Sequence, residues 1–203
     1  DISVPRTLKK SKREMPLEED IKKAEKQPEN MFQLFAYLLL YTGCRRGEAL
    51  ALTWDDIDFD NNLIYINKQL QFQSNKPVIE NFTKSKAGIR TVPMLENLRA
   101  ALLPFKKNSG YVFSVNRNLL TSKQFRDGWK SLGFSSTPHQ FRHAYATTLY
   151  NAKIDAKTAQ SLLGHSSVSV TLDVYTHISK NVANSAKEQL NNYISQSKIS
   201  QKS

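Results

Sequence analysis

Residues 31–48 read MFQLFAYLLLYTGCRRGE, and the fold follows from this stretch. Nearly every side chain from Met31 to Tyr41 is apolar, over a length that suits a helix buried on all sides and is too short to cross a bilayer. Gly43 is placed to end that helix as a left-handed C-cap, and residues 46–52 read as one or two further helical turns. An all-round apolar helix must be covered by other elements. The chain therefore needs a real core, and 203 residues can supply one.

Working outward, residues 1–15 are polar and basic with no apolar period, and read as a linker. Pro16 then opens a short helix with acids in its first turn and lysines after them, matching the helix dipole. Downstream, Ile57 and Phe59 face Leu63, Ile64 and Ile66 across Asp60-Asn61-Asn62, the pattern of a β-hairpin. Residues 88–94 (GIRTVPM) alternate and supply a third strand; the polar stretch 67–87 is expected to be a long excursion within that sheet. Helices are expected at 95–103, 121–132, 138–151, 155–163, 167–175 and 180–195. The predicted class is α+β, mainly helical, with a small antiparallel sheet.

Charge narrows the partners. The net charge is +11, and residues 61–130 carry twelve Lys or Arg against three acids, Glu80, Glu96 and Asp127. Residues 6–13 add five more basic residues and no acid. An excess held over so long a span points to a polyanion, with nucleic acid favoured over a membrane surface because no basic amphipathic helix with an aromatic face is present. No apolar run is long enough to span a bilayer, and the first residues lack a signal-peptide pattern. A single cysteine, Cys44, cannot form an internal disulfide and suits a reducing cytoplasm.

The candidate chemistry lies in the last third. Thr137-Pro138-His139-Gln140 is a helix start, with Thr at the N-cap, Pro at N1 and Gln at N3 of a capping box. His139 and Arg142 then share a face of the first turns, where free backbone N–H groups and the helix dipole also favour an anion. His139 and His143 have the spacing of a zinc-binding HExxH pair, but Gln140 stands where that chemistry needs a glutamate base. Leu163-Gly164-His165 places a histidine just beyond a glycine-capped helix. Tyr175 follows in VYTH; a phenol, with an ordinary pKa of about 10, attacks a phosphodiester only where cations absorb the charge that builds on the phosphoryl oxygens.

Taken together, TGCRRGEALAL around Arg45, TKSKAGIRTVP around Lys84, HQFRH, LLGHSSVSVT and VYTH resemble the catalytic domain of tyrosine recombinases, in particular phage and conjugative-transposon integrases. The resemblance covers about residues 16–180. It implies that Arg45 and Arg142 bind the non-bridging oxygens of a scissile phosphate, with Glu48 in a structural role, orienting Arg45 or closing a local ion pair. It implies that Lys84, rather than Lys86, protonates the leaving 5′ oxygen, that His139 and His165 support proton transfer and phosphoryl charge, and that Tyr175 is the nucleophile. No metal and no nucleotide cofactor are implied.

The same resemblance implies double-stranded DNA as partner, assembly as a homotetramer on two DNA sites, and an N-terminal core-binding domain in the parent protein. Three segments are then expected: a basic linker over 1–15, a catalytic domain over 16–179, and a C-terminal helix and tail over 180–203. The last carries an apolar stripe at Val182, Ala186, Leu190, Tyr193 and Ile194 that could dock on a neighbouring protomer. A DNA-binding module that does not cut and a type IB topoisomerase are the alternatives.

Overall fold

The computed structural model describes residues 15–82, 88–180, 187 and 189–190. The expected linker up to residue 14, Lys84 and Lys86, and most of the C-terminal stripe lie outside the described residues.

Helix α2 (Met31–Thr42) is the centre of the domain. The Asn30 carboxamide accepts from the backbone of Phe32 and Gln33 and starts it, and Gly43, at φ 62°, ends it. Leu34 to Leu40 are all buried, as the apolar run requires. Helices α1 (Glu18–Ala24), α4 (Glu96–Leu102) and α6 (Pro138–Asn151) pack on α2, and α3 (Arg46–Ala51) continues from it. Helix α5 (Ser122–Ser131) contributes Phe125 and Trp129, whose rings meet Phe35 edge-on.

Strands β1 (Ile57–Asp58), β2 (Leu63–Ile66) and β5 (Arg90–Pro93) form the expected antiparallel sheet, in the order β1-β2-β5. Ile64 pairs with Ile57 on one side and Val92 on the other. Ile64 and Ile66 are buried while Tyr65 between them is exposed, so the sheet has one core face.

Residues 67–87 depart from the expected excursion in that sheet. Strands β3 (Lys68–Gln73) and β4 (Lys76–Asn81) pair only with each other, as a separate hairpin packed on α3. Its turn uses Ser74 and Asn75, both at positive φ, the geometry that lets a two-residue turn follow the twist of its strands. A further small hairpin, β6 (Ser114–Val115) with β7 (Asn118–Leu119), was not expected from the sequence.

A second cluster joins α6, α7 (Ala156–Leu163) and helix α8, which covers the described residues 168–180. The expected break after residue 175 is absent. Thr171, Val174 and Ile178 are buried at helical spacing, and that stripe carries α8 through Tyr175.

Candidate active site

The junction of α2 and α3 sets the first arginine. A Cβ at Gly43 would meet the Tyr145 ring at 2.4 Å, so both the left-handed turn and the close approach of α6 require glycine. The chain then passes through buried Cys44 to Arg45 at the N-cap of α3. Glu48 accepts the Arg45 backbone N–H at 2.8 Å through Oε2 and its guanidinium Nη1 at 2.7 Å through Oε1. The Arg45 side chain stays 43% exposed.

Glu48 has a second partner that the sequence reading missed. Arg90 on β5 meets both of its carboxylate oxygens, Nη2 to Oε2 at 2.7 Å and Nη1 to Oε1 at 3.1 Å. Burial alone would raise the Glu48 carboxyl, but the hydrogen bonds and charges of Arg90 and Arg45 outweigh it and hold the pKa at about 2. One signal could have found Arg90. It alternates with Val92 and Met94, which places a charge on the buried face of a strand, where it must be paired.

The C-terminal turn of α7 gathers the guanidinium groups. Arg90 Nε donates to the Leu162 carbonyl at 2.8 Å, Arg142 Nη2 donates to that of Leu163, and Arg45 Nη2 donates to that of Gly164 at 2.8 Å. These are carbonyls that a helix end leaves without intrahelical partners, at the negative end of its dipole. Arg142 Nη1 also donates to Gly43 at 2.6 Å, so α6 is tied to the end of α2 as well. Arg142 is buried. The loss of water, with Arg45 and Arg90 nearby, disfavours its charge and pulls its pKa down to about 9.

The start of α6 is as expected: Gln140 Oε1 accepts the Thr137 backbone N–H at 2.7 Å and its hydroxyl at 3.0 Å. His139, in the first turn, meets the His143 ring edge-on with centroids 4.7 Å apart. His165 follows the Gly164 cap, and its Nδ1 lies 2.9 Å from Thr171 Oγ1 on α8. Thr171 is fully buried, and a buried hydroxyl proton needs an acceptor. The direction of this bond depends on the imidazole tautomer: with Thr171 as donor to Nδ1, the ring carries its proton on Nε2.

Two cavities open on these groups. The larger, about 490 Å3, is lined by Arg45, Arg46, Gln69, Gln71, Phe72, His139 and Arg142, among others. The smaller, about 160 Å3, is lined by His139, Arg142, His143, His165 and Val174, among others. His139 and Arg142 belong to both walls. Of the residues expected at the site, Arg45, His139, Arg142 and His165 are thus brought together.

Tyr175 is not. Its hydroxyl donates to the Ile154 carbonyl at 3.1 Å, its ring meets Tyr150 edge-on, and it lines neither cavity. Burial, and then the charge of Asp155, raise its pKa. Val174, one residue earlier, does reach the smaller cavity.

The phage integrase family matches residues 9–182. The chain belongs to that family. Its curated relatives include a tyrosine recombinase XerC-like protein of Caldanaerobacter subterraneus subsp. tengcongensis, 31% identical over 86% of this chain and 53% of that protein. The transposase from transposon Tn916 of Enterococcus faecalis is 28% identical over 94% of this chain and 53% of its own length. The chain thus spans about half the length of these relatives.

Solved members share the fold. A XerA recombinase superposes with a TM-score of 0.61 at 26% identity, over 90% of this chain and 66% of that one. A Tn1549 transposon integrase in complex with transposon right end DNA gives 0.68 at 25% identity, over 91% and 68%. The family expected from the five sequence blocks and the mainly helical α+β class are both borne out. Among the described residues no helix is long and apolar enough to cross a membrane.

Proposed function

We propose that this chain is the catalytic domain of a site-specific DNA recombinase that breaks and rejoins strands through a 3′-phosphotyrosyl intermediate. One observation carries the reading. Arg142 is a buried cation bonded to two neutral carbonyls, beside Arg45 on the wall of one cavity, and its charge is disfavoured until an anion enters. The relatives named as recombinases and a transposase, and the DNA held by the related transposon integrase, support a DNA phosphate as that anion.

In this mechanism Arg45 and Arg142 donate to the non-bridging oxygens of the scissile phosphate with the N–H groups that carbonyls and Glu48 leave over. His139 and the Nε2–H of His165 add further donors. Tyr175 leaves the Ile154 carbonyl and attacks phosphorus; the Oη–P bond forms as the P–O5′ bond breaks. Lys84 gives its proton to the leaving 5′ oxygen, and the phenolic proton passes to a site histidine or to water. Rejoining runs the same steps in reverse with the 5′ hydroxyl of another strand. One phosphoester bond is exchanged for another, so the reaction needs no external energy source. The whole protein, in this reading, adds a DNA-clamping domain before the linker and works in the cytoplasm as a homotetramer on two duplexes.

The test is a target duplex nicked beside the cleavage point, so that the short 5′ fragment diffuses away and the covalent intermediate accumulates. The wild-type chain is expected to form the adduct and Tyr175→Phe to bind DNA without forming it. Adduct in the Phe variant would move the nucleophile elsewhere. Binding with no adduct from the wild type would leave a non-cutting module. Relaxation of supercoils without exchange between duplexes would indicate a topoisomerase.

A further inference from the structure

Arg46 is the cation of this site that the mechanism leaves unused. It follows Arg45 directly, yet the two side chains go to different walls. Arg45 is tied to Glu48 and Gly164, whereas the Arg46 guanidinium lies over two rings from separate elements, 5.7 Å from the centroid of Phe72 on β3 and 5.5 Å from that of Phe125 on α5. Arg46 is exposed, and among the described residues no carboxylate pairs with it. Glu48, the nearest acid in sequence, is fully engaged by Arg45 and Arg90. On the facing hairpin, Gln69 and Gln71 both donate to Glu80.

A guanidinium stacked on aromatic rings keeps its in-plane N–H donors at its edge and loses little further freedom when it takes a ligand. Arg46 also lines the larger cavity with Arg45, His139 and Arg142. Arg45 and Arg46 are thus held by different partners on the wall of one cavity, Arg45 by Glu48 and Gly164 and Arg46 by two aromatic rings, which leaves the in-plane donors of Arg46 for an anion of its own.

We propose that Arg46 is a second phosphate-binding residue, which grips a DNA backbone phosphodiester flanking the one held by Arg45 and Arg142, with Phe72 and Phe125 fixing its orientation. The ligand class rests on the recombinase reading. The residue would position the strand, not react with it. It would thereby join the β3–β4 hairpin, α3 and α5 around one phosphate.

The experiment measures affinity for a random-sequence duplex across a salt series, for the wild-type chain, Arg46→Met and Arg46→Lys, with thermal unfolding of each. Each phosphate contact contributes about 0.9 to the slope of log K against log salt. Arg46→Met keeps an unbranched stem between the rings and removes the charge. It is expected to flatten the slope by about 0.9 and weaken binding roughly tenfold at low salt. Arg46→Lys is expected to keep the slope. A packing role gives the opposite pattern: Met then substitutes well in both assays, and Lys lowers the unfolding temperature with no change of slope. An unchanged slope in folded Arg46→Met, beside a steep wild-type slope, overturns the proposal alone. A flat wild-type slope overturns the DNA reading and this proposal with it.

Discussion

Glu48 and Arg90 form a two-point ion pair, Oε2 to Nη2 at 2.7 Å and Oε1 to Nη1 at 3.1 Å, with both side chains almost fully out of water. It joins α3 to β5 across 42 residues of sequence, and the same Glu48 carboxylate accepts from the Arg45 guanidinium. Removing one partner strands a buried charge, which costs about 3–5 kcal/mol. Arg90→Ala is therefore expected to lower stability by that order in urea unfolding. Arg90→Lys, which keeps the charge but loses the fork and the bond to Leu162, should fall between Ala and wild type. The exposed Glu18–Lys22 pair is the control, and Lys22→Ala is expected to change stability barely at all.

The same pair predicts an acid limit. The folded-state pKa of Glu48 is about 2, below its unfolded value, so the folded state binds the proton less readily. The resulting stability is fully present above the unfolded carboxylate pKa of about 4.3 and is lost as pH falls toward 2. Its size is about 3 kcal/mol. Urea titrations between pH 6 and 2 should show a steeper loss for the wild type than for Glu48→Gln. Parallel curves would mean that other carboxylates carry the acid sensitivity.

Arg45 and Arg142 are expected to separate when each is replaced by alanine. Arg45 is partly exposed, and its loss leaves Glu48 paired with Arg90. Arg142 is buried and satisfies the carbonyls of Gly43 and Leu163. Both variants should lose several orders of magnitude in covalent adduct formation, through unpaired phosphoryl charge. Only Arg142→Ala should also lose about 2–4 kcal/mol of stability, from two buried acceptors left without donors. Equal unfolding midpoints for the two variants would contradict the structural half of this assignment.

Much of this fold is legible in the sequence, for local reasons. The apolar run of α2 with Asn30 and Gly43 at its ends, the alternation of Ile64, Ile66 and Val92, and the Thr-Pro-x-Gln start of α6 each carry their own instruction within a few residues. The rest depends on partners far away in the chain. The alternation of Arg90 with Val92 and Met94 says that it needs a partner, but not that the partner is Glu48, 42 positions earlier. In β3 only Leu70 is deeply buried, and Ser74-Asn75 lacks the usual Asn-Gly signature, so the separate hairpin has almost no period to betray it. Strands as short as β6 and β7 have no period at all. The break expected after residue 175 fails because Ile178 extends the buried stripe of α8 by one more turn. The position of the Tyr175 hydroxyl is illegible for a related reason: the Ile154 carbonyl that holds it lies in a turn between two other helices.

Thr171 offers a test of how finely the site is set. Its hydroxyl and Nδ1 of His165 are 2.9 Å apart, and the threonine is wholly enclosed on α8, four residues before Tyr175. If it donates to Nδ1, it holds the imidazole with its remaining proton on Nε2, ready to donate to a phosphoryl oxygen. Thr171→Val has nearly the same shape, so packing survives while the donor is lost. Adduct formation is expected to fall about tenfold, the worth of roughly one net hydrogen bond. The unfolding midpoint should move little, and Thr171→Ser should restore most of the activity. A structural role alone would not alter the ring, so the deciding readout is the nitrogen chemical shifts of His165. In the wild type they should report the Nε2–H tautomer, and in Thr171→Val a mixture. An Nδ1–H ring in the wild type would reverse the direction of the bond and remove Thr171 from the mechanism.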